Sequence, residues 1–311
     1  MKHFSSISAV EHPNKLLDLA LACKANPHQW SDLGQQKTIG LLFFNPSLRT
    51  RLSTQKAAQH LGLEVLTMDV GSHGWKLEFE DGAIMNSDKA EHIKEAAAVV
   101  SQYCDLVAVR CFPSLTDRSA DYREPVLSAF MKYASVPIIN LESATAHPLQ
   151  GLADWMTIKE NTQKERPKVV LSWAPHPKAL PQSVANSFVK YMEVADVDLT
   201  ITHPPGYELA PEVAKGFTVS HDQAAAMKDA DFVYTKNWSS YSTYGQVLTQ
   251  DPAWTITSEK LGNAFFMHCL PVRRNVVVSD AVLDSPQSLV IEQANNRTFA
   301  AQAAIISLLK P

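Results

Sequence analysis

Apolar positions along the chain follow two spacings. Short runs of consecutive apolar residues alternate with longer stretches in which apolar residues return every three or four positions. The runs predict strands over 38–44, 64–69, 106–110, 137–141, 168–173, 198–202, 232–235 and 264–268. The longer stretches predict helices over 49–61, 91–103, 123–133, 149–161, 182–195 and 293–309. In the first of these helices Leu52, Ala57, Ala58 and Leu61 fall on roughly one face. The run Ile39-Gly40-Leu41-Leu42-Phe43-Phe44 is apolar throughout, as a strand covered on both sides should be, and Asn45-Pro46 stops it at strand length. Strand and helix in alternation argue for an α/β fold with parallel sheets flanked by helices. The polar stretch 161–168 reads as a surface crossing between two domains. The segment 71–89 shows no period and carries Trp75, Phe79 and Met85, which fits a long loop serving as a lid or partner contact.

A length of 311 residues suits two domains of about 150 residues each. Apolar residues make up 45% and charged residues 19%, enough for true cores and too few charges for a disordered chain. A net charge of −4, with an isoelectric point near 6.3, argues against general nucleic-acid binding, which needs cation density. Cys23, Cys104, Cys111 and Cys269 are scattered with no C-x-x-C, so neither a zinc ribbon nor a redox pair is expected. The first residues form no secretory signal and no apolar stretch exceeds strand length, so the expectation is a soluble cytoplasmic protein without membrane contact.

Three segments carry chemistry. In Phe43-Phe44-Asn45-Pro46-Ser47-Leu48-Arg49-Thr50-Arg51 a buried strand ends and a helix begins with Ser47 as N-cap. Its first turns carry Arg49, Arg51 and Lys56, which oppose the positive end of the helix dipole. A bound anion would reverse that penalty, met by backbone N–H groups, the hydroxyls of Ser47 and Thr50, and Arg49; a basic solvated face is the plainer alternative. No G-x-x-x-x-G-K and no G-x-G occurs, so the nucleotide loops are absent. In the second segment, Thr145-Ala146-His147-Pro148-Leu149-Gln150, Pro148 can open a helix, and His147 and Gln150 can meet a carbonyl group one turn apart. Taken alone, such a His is more commonly a cap. In the third, Met267-His268-Cys269-Leu270-Pro271-Val272-Arg273-Arg274, a strand ends and the carbonyls of Cys269 and Leu270 would face the crevice beyond it; Cys269 itself reads as a small buried apolar residue rather than a nucleophile. Arg110 ends another strand and Arg297 lies in the last helix. Polar groups at the carboxyl ends of strands are where open α/β sheets bind ligands. Their one-sided supply of donors suits a phosphate-bearing carbonyl compound.

These motifs resemble those of the aspartate/ornithine carbamoyltransferase family: S-x-R-T-R at 47–51, H-P-x-Q at 147–150 and H-C-L-P at 268–271, in order along essentially the whole chain. The resemblance implies transfer of a carbamoyl group from carbamoyl phosphate to an amine with no metal or organic cofactor. It implies a homotrimer with active sites at subunit boundaries. It also implies a carbamoyl-phosphate domain over 1–145 completed by a returning helix over 290–311, an acceptor domain over 146–289, and a knotted loop near 175–181. Ser47, Leu48, Arg49, Thr50, Arg110, His147, Gln150 and Arg297 would bind carbamoyl phosphate together with Cys269 and Leu270, and Trp75 would reach in from a neighbouring subunit. Thr50, Arg110 and His147 would be the catalytic donors to the carbonyl oxygen.

One departure narrows the acceptor. Where ornithine enzymes carry an acidic D-x-x-x-S-M-G segment, this chain has Tyr234-Thr235-Lys236-Asn237-Trp238. Lys236 would attract a carboxylate and not an α-ammonium, so the acceptor's α-nitrogen should be blocked. That resembles the acylornithine branch, whose pattern Trp75, Glu142, His176, Lys178 and Lys236 also match. Acetyl-specific members carry Glu where this chain has Ala90 and Asn where it has Pro181. Loss of that acid removes repulsion toward a second carboxylate, with Lys178 as its partner, and favours a succinylated over an acetylated ornithine, in the setting of arginine biosynthesis. Acetylornithine remains the alternative acceptor. The rivals are enzymes acting on putrescine or aspartate and a non-catalytic binding homologue.

Overall fold

A computed structural model describes residues 1–70 and 75–310. The chain folds as two compact units. The first comprises Met1–Ser114, Ser119–Leu149 and Arg297–Pro311, and the second comprises Leu115–Arg118 and Gln150–Asn296. Apart from the short excursion Leu115–Arg118, the chain changes unit inside the helix Pro148–Glu160 and again inside the helix Val290–Leu309, a few residues beyond the boundaries expected at 145/146 and 289/290. In both cases the helix begins before the chain changes unit.

The strands are β1 (Thr38–Phe43), β2 (Glu64–Asp69), β3 (Leu77–Glu78), β4 (Glu91–His92), β5 (Leu106–Arg110), β6 (Ile138–Glu142), β7 (Lys168–Ser172), β8 (Asp198–Thr202), β9 (Thr218–Ser220), β10 (Phe232–Thr235) and β11 (Phe265–Met267). The first unit has a parallel sheet in the order β2-β1-β5-β6, and the second a parallel sheet in the order β11-β10-β7-β8-β9. As expected of an α/β protein, β1, β5, β6 and β7 are almost wholly buried and apolar. Each sheet reverses its strand order once, between β1 and β5 in the first unit and between β7 and β10 in the second. Ligands of open parallel sheets gather beyond the carboxyl ends at such reversals.

Three elements differ from the pattern reading. The helix expected over 91–103 starts at Ile93, because Glu91 and His92 pair as β4 with β3 and His92 Nδ1 caps the helix by accepting from the Lys94 amide at 3.2 Å. The helix expected over 123–133 runs Pro125–Tyr133, because Glu124 holds a left-handed φ of 50° and Pro125 sets the first turn. The unpatterned segment 71–89 therefore contains β3, while its positions 71–74 lie outside the described residues. Strand β9 and the helix Pro13–Ala25 had no expectation. No helix among the described residues is long and apolar enough to cross a membrane.

One close approach in the second unit leaves no room for a side chain. Gly151, in the helix Pro148–Glu160, sits against the fully buried ring of Tyr191, and a Cβ there would lie 2.3 Å from Tyr191 Cδ2. Gly151→Ala should therefore cost about 1–3 kcal/mol of stability by overpacking. Scanning calorimetry should show a transition lowered by several degrees, on the order expected for that cost. An unchanged transition would mean that the Tyr191 ring yields freely.

Candidate active site

In the first unit, parallel pairing aligns three strand ends. Phe43 of β1 lies beside Arg110 of β5, and Arg110 beside Glu142 of β6, with a register shift between Val109 and Arg110. Such an irregularity re-aims the side chain that follows it. Beyond β1, Ser47 caps the helix Leu48–His60 by accepting from the Thr50 amide at 3.3 Å. The cap holds the start of this helix over the strand ends, with Arg49 half-buried and Thr50 buried.

Five buried polar side chains from five segments meet there: Thr50, Arg110, Glu142, His147 and Arg297. Arg297 Nη2 donates to Thr50 Oγ1 at 2.6 Å and lies 3.4 Å from His147 Nε2. Arg110 Nη1 donates to Glu142 Oε2, which also lies 3.5 Å from His147 Nε2. The Arg110 guanidinium stands over the Phe112 ring, 4.2 Å from its centroid. Its Nε has no hydrogen-bond partner among the described residues. The two buried guanidinium groups supply N–H donors of the kind that bind anions.

Near this cluster in sequence, Trp75 packs on the unit's core and its Nε1 donates to Glu91 Oε2 at 2.8 Å. Ala90 is exposed, its amide bonded to the Lys76 carbonyl at 2.9 Å. Lys89 beside it is paired with Glu78 at 2.8 Å, which holds that carboxyl down at about 2.

The second unit gathers a different set. Its three neighbouring strands β7, β10 and β11 end just before His176, Lys236 and His268. His268 is buried, and its Nδ1 accepts from the Leu270 amide at 2.9 Å, which places the ring proton on Nε2. This bond closes the turn carrying Cys269 and Leu270, where Leu270 holds a φ of 52°, costly for a branched residue by about 1–3 kcal/mol. All four cysteines are buried and free, in keeping with Cys269 as a small apolar residue. Gln150 and Pro181 are buried, and Lys236 is half-buried with its amide on the Ser172 carbonyl at 2.9 Å.

His176 organises the cationic part. Its Nε2 accepts from Arg273 Nε at 3.0 Å, which puts its proton on Nδ1, 2.8 Å from the Lys178 carbonyl, the shorter of that atom's two contacts with Lys178, whose amide nitrogen lies at 3.1 Å. Burial first, and then the charges of Arg273, Lys236 and Lys178, push this imidazole below its usual value. The group is thus a neutral imidazole among three cations, suited to carboxylates. Arg273 had no individual assignment from the sequence, although it lies in the 267–274 segment. Its pairing with a residue 97 positions away is what reveals it. Glu142, expected on the acceptor side, is tied to Arg110 and His147 of the first unit.

Two family models cover the chain: the carbamoyl-phosphate-binding domain of aspartate/ornithine carbamoyltransferases over residues 2–160, and the aspartate/ornithine-binding domain of the same enzymes over 181–309. The chain is 46% identical over 315 residues to an N-succinylornithine carbamoyltransferase of Bacteroides thetaiotaomicron, covering 100% of this chain and 99% of that one. It is 37% identical over 335 residues to an N-acetylornithine carbamoyltransferase of Xanthomonas axonopodis pv. citri, covering 99% and 96%. Among solved structures, a glutamate-to-alanine variant of an N-acetyl-L-ornithine transcarbamylase, complexed with carbamyl phosphate and N-succinyl-L-norvaline, superposes with a TM-score of 0.91 at 36% identity, covering 99% of this chain and 100% of that one.

The surroundings of His176 fix the sign of its titration. As pH falls, the unfolded chain takes up a proton near 6.5 and the folded protein only lower, so this group withdraws stability across the window below 6.5. An NMR titration should place the His176 midpoint below 6.5, with Nε2 unprotonated above it. A midpoint at or above 6.5 would rule out the Arg273 contact.

Proposed function

The chain belongs to the aspartate/ornithine carbamoyltransferase family, and from that membership we propose that it transfers the carbamoyl group of carbamoyl phosphate to the δ-amine of N-succinyl-L-ornithine, giving N-succinyl-L-citrulline and phosphate in arginine biosynthesis. The observation that carries the acyl assignment is the cationic set in the second unit. Arg273, Lys178 and Lys236 surround the neutral His176. N-succinylornithine brings two carboxylates, N-acetylornithine one, and free ornithine one beside an α-ammonium that three cations repel. Family resemblance sets the acetyl enzymes' glutamate against Ala90, and the glutamate-to-alanine relative complexed with a succinylated ligand supports that reading.

On this reading the first unit holds carbamoyl phosphate at the start of the helix Leu48–His60. Arg49 and Arg297 take the phosphate, with Ser47, Leu48 and Thr50 supplying backbone and hydroxyl donors. Thr50, Arg110 and His147 donate to the carbonyl oxygen as it becomes an oxyanion; loss of one such donor costs about 2.7–4 kcal/mol of barrier. Glu142 fixes the plane of the Arg110 guanidinium and faces the amine side. Gln150 and the carbonyls of Cys269 and Leu270 orient the carbamoyl and amine hydrogens. The neutral δ-amine attacks the carbamoyl carbon, the bond to the phosphate oxygen breaks, and the departing phosphate accepts the amine's proton. Holding both reactants in register supplies much of the acceleration.

We also read the protein as a trimer in which Trp75 exchanges its bond to Glu91 for a neighbour's substrate. Large apolar side chains support an interface on the first unit: Leu48 at 68% and Leu52 at 56% exposure on one helix, Leu66 at 53% and Met68 at 45% on the edge strand β2. Such exposed apolar clusters mark association surfaces. Light scattering should give three times the 34.4 kDa of one chain, and Leu52→Glu should lower it. A monomeric wild type would end the shared-site reading.

Carbamoylation rates measured side by side on N-succinylornithine, N-acetylornithine and ornithine test the substrate. The succinyl compound should lead, and Ala90→Glu should cut that lead by at least about tenfold through like-charge repulsion. A wild type that prefers acetylornithine would keep the reaction and remove the charge argument. Activity confined to ornithine would overturn the role of Lys236.

A further inference from the structure

The second unit contains a buried carboxylate to which no site role has been given. Asp154 is fully buried in the helix Pro148–Glu160, four residues after Gln150 and so on the same face. Its Oδ1 accepts from Gln150 Nε2 at 2.7 Å and from Gln293 Nε2 at 2.6 Å. Gln293, also fully buried, takes the His268 backbone N–H on its Oε1 at 2.9 Å. His268 in turn receives the Leu270 amide.

An amide side chain can flip, offering oxygen or nitrogen in a given direction at little cost. A carboxylate accepts and cannot donate, so each glutamine must turn its NH2 toward Asp154. For Gln150 this leaves Oε1 as an acceptor pointing away from Asp154, and that atom meets no donor among the described residues. For Gln293 it leaves Oε1 to take the His268 amide. One acid therefore sets the sense of two amides. The fully buried phenols of Tyr191 and Tyr234 face the same carboxylate, and burial together with the Asp154 charge pushes both above the usual tyrosine range.

We propose that Asp154 is a positioning residue that commits Gln150 to present its oxygen to the carbamoyl NH2 and, through Gln293, holds the 268–270 turn so that the Cys269 and Leu270 carbonyls meet the reacting nitrogens. It rests on the carbamoyltransferase reading above. The arrangement has two arms. The Gln150 arm serves carbamoyl phosphate, and the Gln293 arm serves the turn on the acceptor side.

Kinetics and calorimetry of two variants separate the arms. Asp154→Asn keeps shape but can donate as well as accept, so either glutamine can flip. It should weaken carbamoyl-phosphate binding and raise the acceptor KM, each by about tenfold, as loss of a charge-assisted hydrogen bond does, with an unfolding temperature near wild type. Gln293→Leu keeps the bond from Asp154 to Gln150. It should raise the acceptor KM by a similar factor while weakening carbamoyl phosphate by a clearly smaller factor than Asp154→Asn does, because Gln150 keeps its orientation. A merely structural role would lower stability in both variants and leave that split absent. Asp154→Asn within twofold of wild type on both constants overturns the proposal, as does a Gln293→Leu that weakens carbamoyl phosphate as much as Asp154→Asn does. The carbamoyl-phosphate Kd of Asp154→Asn tests the Gln150 arm even if wild type proves inactive on every acylornithine, an outcome that would overturn the substrate reading instead.

Discussion

A guanidinium cannot be left dry and unpaired, and the first unit is arranged around that constraint. Arg110 ends a buried strand with its side chain almost wholly out of water, and Glu142, at the end of the next strand, is what makes that tolerable. The pair is possible because parallel strands finish at the same edge and because the register slips at Arg110. Removing either partner would leave an uncompensated buried charge, a loss on the order of 3–5 kcal/mol. The backbone pairing therefore holds this guanidinium in place ahead of any ligand.

On the proposed reading the two units meet anions differently. The first uses burial: Thr50, Arg297 and His147 are held to one another by short contacts, so donors are fixed before a substrate arrives. Preorganised donors are worth most where charge develops during reaction. The second uses exposed or half-exposed cations, Lys178, Lys236 and Arg273, kept apart by a neutral imidazole. Exposed cations discriminate by charge with little desolvation, which suits selection of an acceptor more than stabilisation of an oxyanion. The chemistry expected of each unit follows from that difference in dryness.

Much of this was legible in the residues. Near-continuous apolar runs ended by Asn45-Pro46 or by Pro271 located strand ends, and Arg110 and His147, singled out in the sequence, are among the side chains the first unit buries together. Pairs that depend on long-range register were not legible. Nothing in sequence says that Glu142 sits beside Arg110, or that Arg273 meets His176, because both pairings are made by the sheet order and not by spacing. The two-residue strands β3 and β4 are too short for any period to register. Asp154 shows the opposite failure. An acid at i+4 from Gln150 looks like an ordinary polar helix face, yet this helix is buried along most of its length and that face is interior.

That burial reaches beyond Asp154. Along the same seam Asn296 Nδ2 donates to Thr157 Oγ1 at 3.0 Å and to Glu160 Oε2 at 2.7 Å, and Asn161 Nδ2 to Glu292 Oε1 at 3.2 Å. Polar residues at helical spacing on two segments thus pair where apolar ones would pack as well or better. Apolar packing is tolerant of sliding and rotation, whereas a ladder of donors and acceptors admits one register. The segment at 150–161 carries Gln150, and the segment at 290–296 carries the amide that holds the 268–270 turn. Fixing one against the other fixes the Gln150 amide against a pair of carbonyls. A seam of this kind exchanges some packing energy for a defined geometry. That exchange is reasonable only where the geometry serves chemistry.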